Sequence, residues 1–281
     1  MNKLTDFQNI RNLLKSFRIW NKKRLGQHFL IDEEALQKMI KIPDVQAGEH
    51  ITEIGAGHGV LTLELLKKGA LVDAIEIDDS ILPVLSYVTK SYNKNLVIHH
   101  QHILGYQQTN TPYKVVANIP YQLTSPILRK FLPESDNLPI SMTLLMQKEV
   151  AEKIVNPKKK SLLSLIVEVF GEAEIMHIVP EDSFFPPPKV KSAILHIKTH
   201  DKALINIDKK IFYAMLKNGF SSPRKKLKNV LGGIYHKSAP EMTEIFKKLN
   251  IDPDIRAEKL EIKDWENLAK VFYKSIGQFY K

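Results

Sequence analysis

From about residue 50 onward the chain alternates short, densely apolar runs with amphipathic ones. Residues 50–55, 71–77, 96–101, 113–119 and 140–147 are short and rich in aliphatic side chains, and they read as buried strands. Between and after them, residues 60–68, 81–92, 125–131 and 148–155 read as helical. Strands alternating with helices predict a mostly parallel, doubly wound α/β sheet. Residues 174–179 and 192–198 are two further strands joined only by the loop 180–191, too short for a helical crossover, so they are expected to pair antiparallel at the end of the sheet. Upstream, Leu4, Phe7, Ile10, Leu14 and Phe17 recur at helical spacing with Arg11, Lys15 and Arg18 among them, which predicts an amphipathic helix before the basic run Lys22-Lys23-Arg24. After Thr199 the pattern changes: residues 208–219, 224–231, 241–249 and 264–276 look helical and no convincing strand remains. The expected organisation is an α/β domain over residues 1–199, with a basic arm over 1–30, and a small all-helical domain over 200–281.

Charge sharpens this picture. The net charge of +10 is unevenly placed: residues 1–30 carry +6, residues 31–199 carry −3 and residues 200–281 carry +7. Two basic ends around a slightly acidic middle have the form of a polyanion clamp, although lysine-rich solvated faces give the same distribution. With no cysteine, disulfides, thiolate zinc sites and thiol catalysis are excluded, and a reducing, cytoplasmic setting fits. No stretch approaches the ~20 apolar residues of a membrane span. The N-terminus lacks the apolar core of a secretory signal; its basic, acid-poor helix leaves a mitochondrial transit peptide as an alternative reading.

Two motifs carry the chemistry. The first is Glu53-Ile54-Gly55-Ala56-Gly57-His58-Gly59, where a strand ends in a glycine turn that lets backbone approach a ligand closely. A dinucleotide-binding turn places its third glycine one residue later, where this chain has Val60. Glu53 suits a cofactor with a cationic methionine portion, and Glu76, at the end of the next strand, suits the hydroxyls of a ribose. The second motif is Asn118-Ile119-Pro120-Tyr121, again at a strand end. Asn118 offers an amide oxygen to an amino group, Pro120 fixes the local backbone and Tyr121 offers a stacking face. Together they point to S-adenosylmethionine beside a flat, amino-bearing base, and to methylation of adenine N6. In Phe184-Phe185-Pro186-Pro187-Pro188-Lys189-Val190 an aromatic held by prolines is expected to form a second face for an unstacked base.

Over nearly its full length the chain resembles the ribosomal RNA small-subunit adenine N6-dimethyltransferases of the KsgA/RsmA type. The matching residues are Lys23-Arg24-Leu25-Gly26-Gln27-His28-Phe29-Leu30, both motifs above, Gln147-Lys148-Glu149-Val150-Ala151, the run from Phe184 to Ser192, and the basic segment from Phe220 to Asn229. The resemblance implies a Rossmann-like class I methyltransferase fold and S-adenosylmethionine as cofactor. It also implies dimethylation of two adjacent adenosines in the 3′-terminal hairpin of small-subunit rRNA, by a monomer acting on an assembling subunit. It gives His28, Leu30, Gly55, Gly57, Glu76, His102 and Asn118 to the cofactor, and Asn118, Tyr121 and Phe184 to the target adenine. Two departures stand out. His102 replaces an aspartate that accepts from the cofactor's adenine amino group, and a neutral imidazole serves there only if its facing nitrogen is unprotonated. Lys158-Lys159-Lys160-Ser161-Leu162-Leu163-Ser164 replaces a Tyr-Gly-Arg-Leu-Ser-like stretch, which bears on RNA contact in that region. The rivals are a large-subunit rRNA methylase of the macrolide-resistance type, with the same chemistry, and a non-catalytic RNA- or DNA-binding homologue.

Overall fold

A computed structural model of the chain describes residues 4–19, 27–156 and 158–279, with side chains through 276. The basic run Lys22-Lys23-Arg24 lies outside the described residues. The predicted strands form a seven-stranded sheet from β2 (His50–Ile54), β3 (Leu71–Glu76), β4 (Leu96–His100), β5 (Tyr113–Asn118), β6 (Ser141–Gln147), β7 (Gly171–Val179) and β9 (Ser192–Thr199), in the order β4-β3-β2-β5-β6-β9-β7. Strands β4 to β6 run parallel, and β9 is antiparallel to β6 and adjacent to β7. The central β5 and β6 are buried along nearly their whole length, which is why apolar side chains dominate them, with Lys114 and Thr143 the polar positions inside. Chain order reverses between β2 and β5, and the crevice beyond their C-terminal ends is where open α/β sheets bind ligands.

The chain groups into two compact units. The first comprises Met1–Ile127, Asp136–Glu152 and Ala173–Thr199. It holds the body of the sheet and the N-terminal helix α1 (Phe7–Ser16), which Asp6 caps by accepting from the Asn9 amide. Ile10 and Leu14 of α1 pack with Leu63 of α3 (Val60–Lys67) and with Val84 and Val88 of α4 (Leu82–Thr89), so this helix is part of the fold. A helix the sequence pattern did not reveal, α2 (Glu33–Lys41), starts at an Asp32 cap and buries Leu36, Met39 and Ile40 in the main core. Two-residue strands β1 (Phe29–Leu30) and β8 (Phe184–Phe185) pair antiparallel, Leu30 opposite Phe184. The elements α5 (Thr124–Phe131) and α6 (Lys148–Val155) fall where the helical periodicity placed them.

The second unit comprises Leu128–Ser135, Lys153–Glu172 and His200–Lys281. It contains α7 (Leu162–Phe170), also unanticipated, whose start is fixed by a reciprocal cap between Ser161 and Ser164. Helices α8 (Lys209–Gly219), α9 (Leu227–Tyr235), α10 (Ala239–Lys248), α11 (Ile262–Val271) and α12 (Tyr273–Phe279) follow. The last two replace the single helix expected over 264–276, the chain breaking at Phe272. Trp265 is fully buried and stacks on Phe220, while Tyr235 stacks on Phe272. No helix among the described residues is long and apolar enough to cross a membrane.

Candidate active site

At the switch point a cleft of about 160 Å³ is lined by His28, Gly55, Gly57, Glu76, His102, Asn118 and Tyr121, among others. Six of these seven predicted residues lie at or just beyond the ends of β2, β3, β4 and β5, and His28 comes from the segment before β1. Gly57 adopts φ +55°, and its amide donates to Glu76 Oε2 at 2.8 Å, so the turn and the acid of the neighbouring strand hold each other. Glu76 Oε1 accepts from the Ile77 and Asp78 amides at 2.9 and 2.8 Å. Its carboxyl is pushed up by burial, against which those three backbone donors act. Two bonds on Oε1 and one on Oε2 leave one lone-pair site, on Oε2, for an incoming donor.

Asn118 ends β5. Its Nδ2 donates to the His28 carbonyl at 3.0 Å, which fixes the amide plane and leaves Oδ1 as an acceptor at the cleft wall. Beyond it the Ile119 amide donates to Leu145, and Pro120 opens a short turn closed by Leu123 donating to the Pro120 carbonyl at 2.8 Å. That turn presents Tyr121, whose hydroxyl hydrogen-bonds to the fully buried Ser192 at 2.7 Å. Burial pushes the Tyr121 phenol up, so it stays neutral. The His28 ring lies nearly parallel to the Tyr121 ring, centroids 5.8 Å apart and planes at 22°. His28 Nδ1 meets the Pro186 carbonyl at 2.7 Å; since a carbonyl only accepts, Nδ1 carries the proton.

Two predicted residues do not border this cleft. Leu30 and Phe184 are buried in the main core, side by side across the β1–β8 pair. The ring that lies parallel to Tyr121 is thus His28, a residue the resemblance gave to the cofactor, while Phe184 sits behind the wall. His102 does border the cleft, and its Nδ1 accepts from the Leu104 amide at 3.1 Å. A neutral imidazole with Nδ1 accepting carries its proton on Nε2, so the outward nitrogen is a donor. An aspartate would have a second oxygen to accept from an adenine amino group, whereas this imidazole, with Nδ1 engaged by Leu104, has no second acceptor.

Several lining residues were not singled out from sequence: Gln101, Ile103, Gln122 and Leu123. Gln27 Nε2 donates to Asp78 at 2.8 Å, tying the segment before β1 to the end of β3. Gln101 and Ile103 flank His102 at the end of β4, where the strand-end rule could have found them. Ser192 closes the run from Phe184 matched in the sequence, but its contact with Tyr121, 71 residues away, is not legible there. Beneath the glycine turn, Glu53 is buried and its carboxyl is pushed up to about 8, chiefly by burial and further by the Glu76 charge.

The family model described as ribosomal RNA adenine dimethylase matches residues 19–274. Ribosomal RNA small subunit methyltransferase A of Dehalococcoides mccartyi is 36% identical over 268 residues, covering 92% of this chain and 91% of the relative. The protein of the same name from Clostridium acetobutylicum is 32% identical over 277 residues, covering 95% and 99%. Among solved structures, a dimethyladenosine transferase from Plasmodium falciparum superposes with a TM-score of 0.74 at 23% identity, covering 88% of this chain and 98% of that one. The 23S rRNA methyltransferase ErmE gives 0.65 at 22% identity, covering 86% and 98%. At such identities the two structures establish the fold, a Rossmann-like methyltransferase.

Proposed function

Because the chain belongs to the ribosomal RNA adenine dimethylase family, we propose that it dimethylates N6 of adjacent adenosines in the 3′-terminal hairpin of small-subunit rRNA, using S-adenosylmethionine. The observation that carries this reading is Asn118: its amide nitrogen is engaged by His28, so its oxygen is the free acceptor where the cleft meets the glycine turn.

The cleft suits S-adenosylmethionine. Gly55 and Gly57 let backbone close on it, and Glu76 Oε2 retains a site for one ribose hydroxyl. When bound, that group supplies an electrophilic methyl. Everything else falls to the protein. Adenine N6 is a poor nucleophile because its lone pair is delocalised into the ring. Asn118 Oδ1 accepts one amino hydrogen. The Pro120 carbonyl is already engaged by Leu123, so the Ile119 carbonyl is the second acceptor. Two acceptors favour a pyramidal nitrogen with a localised lone pair, and these fixed dipoles stabilise the positive charge that develops there. Tyr121, anchored by Ser192, stacks on the base and sets its angle of approach. Two ring-to-ring contacts need about 7 Å, more than the His28–Tyr121 spacing of 5.8 Å, so the base lies on Tyr121 with His28 at its edge.

The helical unit completes the reading as an RNA grip. Arg224 and Lys225 are exposed ahead of α9, while Lys226 and Lys228 pair with Asp254 at 2.8 and 3.0 Å. On this reading the protein is a cytoplasmic monomer acting on the assembling small subunit. Labelled S-adenosylmethionine is offered separately to unmethylated small and large ribosomal subunits, with Asn118→Ala as control. Dimethyladenosine in small-subunit rRNA alone, lost in the variant, supports the proposal. Label in large-subunit rRNA alone assigns the protein to resistance-type chemistry, and cofactor binding without transfer to either makes it a binding factor.

A further inference from the structure

Two buried polar atoms without hydrogen-bond partners, Glu53 Oε2 and His58 Nε2, belong to residues that border one small cavity beneath the glycine turn. Glu53 is 1% exposed and His58 2%. The cavity measures about 30 Å³, and its other walls include Phe29, Leu30, Met39 and Asn118. A buried water needs about 10–15 Å³ and at least two polar partners. Apolar cavities stay dry, but this one has an orphaned polar atom from each of two residues on its wall. We propose that it is a built site for a single water, hydrogen-bonded between the Glu53 carboxyl and His58 Nε2.

The proton positions make the chain of bonds consistent. The other nitrogen of His58 is held by the backbone of Leu4, and burial pushes the imidazole down to about 4, so His58 is neutral with Nε2 bare as an acceptor. Burial, with the Glu76 charge on the adjacent strand, pushes Glu53 up to about 8, so at neutral pH it is an acid with an O–H to donate. Around Glu53, β1 and α2 contribute apolar side chains, α3 contributes Thr62 and β5 the uncharged Asn118, which leaves Glu76 as the facing charge. The water accepts from Glu53 and donates to His58. Glu53 lies on β2 and His58 within the turn, so the water ties the turn to its strand. Both are positioning residues for the backbone that cradles the cofactor.

The test uses the free protein, so its outcome is separate from that of the methyltransferase reading. An experimental high-resolution structure should show one density peak within hydrogen-bond distance of both atoms. An empty cavity, or a direct Glu53–His58 contact, overturns the site. Infrared spectra at neutral pH should show the carbonyl band of a protonated carboxylic acid that disappears in Glu53→Gln. In His58→Leu, with the acceptor gone, that band should move to higher frequency, and the amides of Gly57 and Gly59 should exchange severalfold faster. An ionised Glu53 in the wild-type spectrum also overturns the proposal, and that reading needs no variant to fold.

Discussion

Replacing Glu53 or His58 should change the pH dependence of stability in opposite senses. In the folded protein Glu53 is raised from 4.5 to about 8, so between those values the folded state holds a proton that the unfolded chain has lost. Stability therefore falls as pH rises through this window, by ~1.4 kcal/mol per unit. His58 is lowered from 6.5 to about 4, so there the unfolded chain binds the extra proton and stability rises with pH. Between pH 4.5 and 6.5 the two slopes cancel, and from 6.5 to about 8 Glu53 acts alone. Over that upper window the wild type should lose roughly 2 kcal/mol to Glu53. Glu53→Gln should not lose it, so its stability relative to wild type should improve by about that amount as the solution becomes alkaline. Relative to wild type, His58→Leu should lose roughly 3 kcal/mol between pH 4.5 and 6.5, where the Glu53 slope is no longer offset. Urea titrations of the three proteins at a series of pH values measure these differences, in which all other titrating groups cancel. A Glu53→Gln difference that stays constant from pH 6.5 to 8 would mean that the buried carboxyl is already ionised, and would refute the reasoning.

Three other outcomes are expected. His102→Asp restores a second acceptor at the end of β4 while still capping Leu104, so calorimetry should show S-adenosylhomocysteine binding about tenfold tighter, one added hydrogen bond to a charged group being worth ~1.4 kcal/mol or more; unchanged or weaker binding argues against adenine contact at this position. Gly219→Ala places a methyl 2.3 Å from Trp265 Cη2 in a fully buried setting, which should cost roughly 1–3 kcal/mol and shift the tryptophan fluorescence. Replacing Arg224 and Lys225 together by alanine should weaken RNA binding and lower the slope of log affinity against log salt by roughly 1–2, with melting temperature unchanged.

What the sequence made legible follows from how local each signal is. Strands β5 and β6 are short apolar runs buried on both faces, and the glycine turn and Asn118–Tyr121 are backbone requirements written into adjacent residues. Helix α7 is hard to read because Leu162–Phe170 is apolar except for Ser164 and Glu168 and mostly buried, so its period is faint. Strands β1 and β8, at two residues each, are too short to show any period. Phe184 was expected at the base and His28 at the cofactor; which ring faces Tyr121 depends on pairing between distant segments, which no local pattern encodes.

That pairing also sets a timetable. The segment from Gln27 to Phe29, which lines one side of the cleft, is held through β1 by β8, and the hydrogen bond from His28 to Pro186 closes a loop of 158 residues. Loops of this length close late in folding, after local contacts have formed. On a ribosome adding ~5–20 residues per second, roughly 8–30 s separate synthesis of the two paired segments. During that interval β2 through β6 can already assemble into a sheet with the glycine turn in place. The nascent chain then has the scaffold of its site with one side missing. That side of the cleft is therefore fixed only once residue 186 has emerged, while residues 187–281 are still to be made.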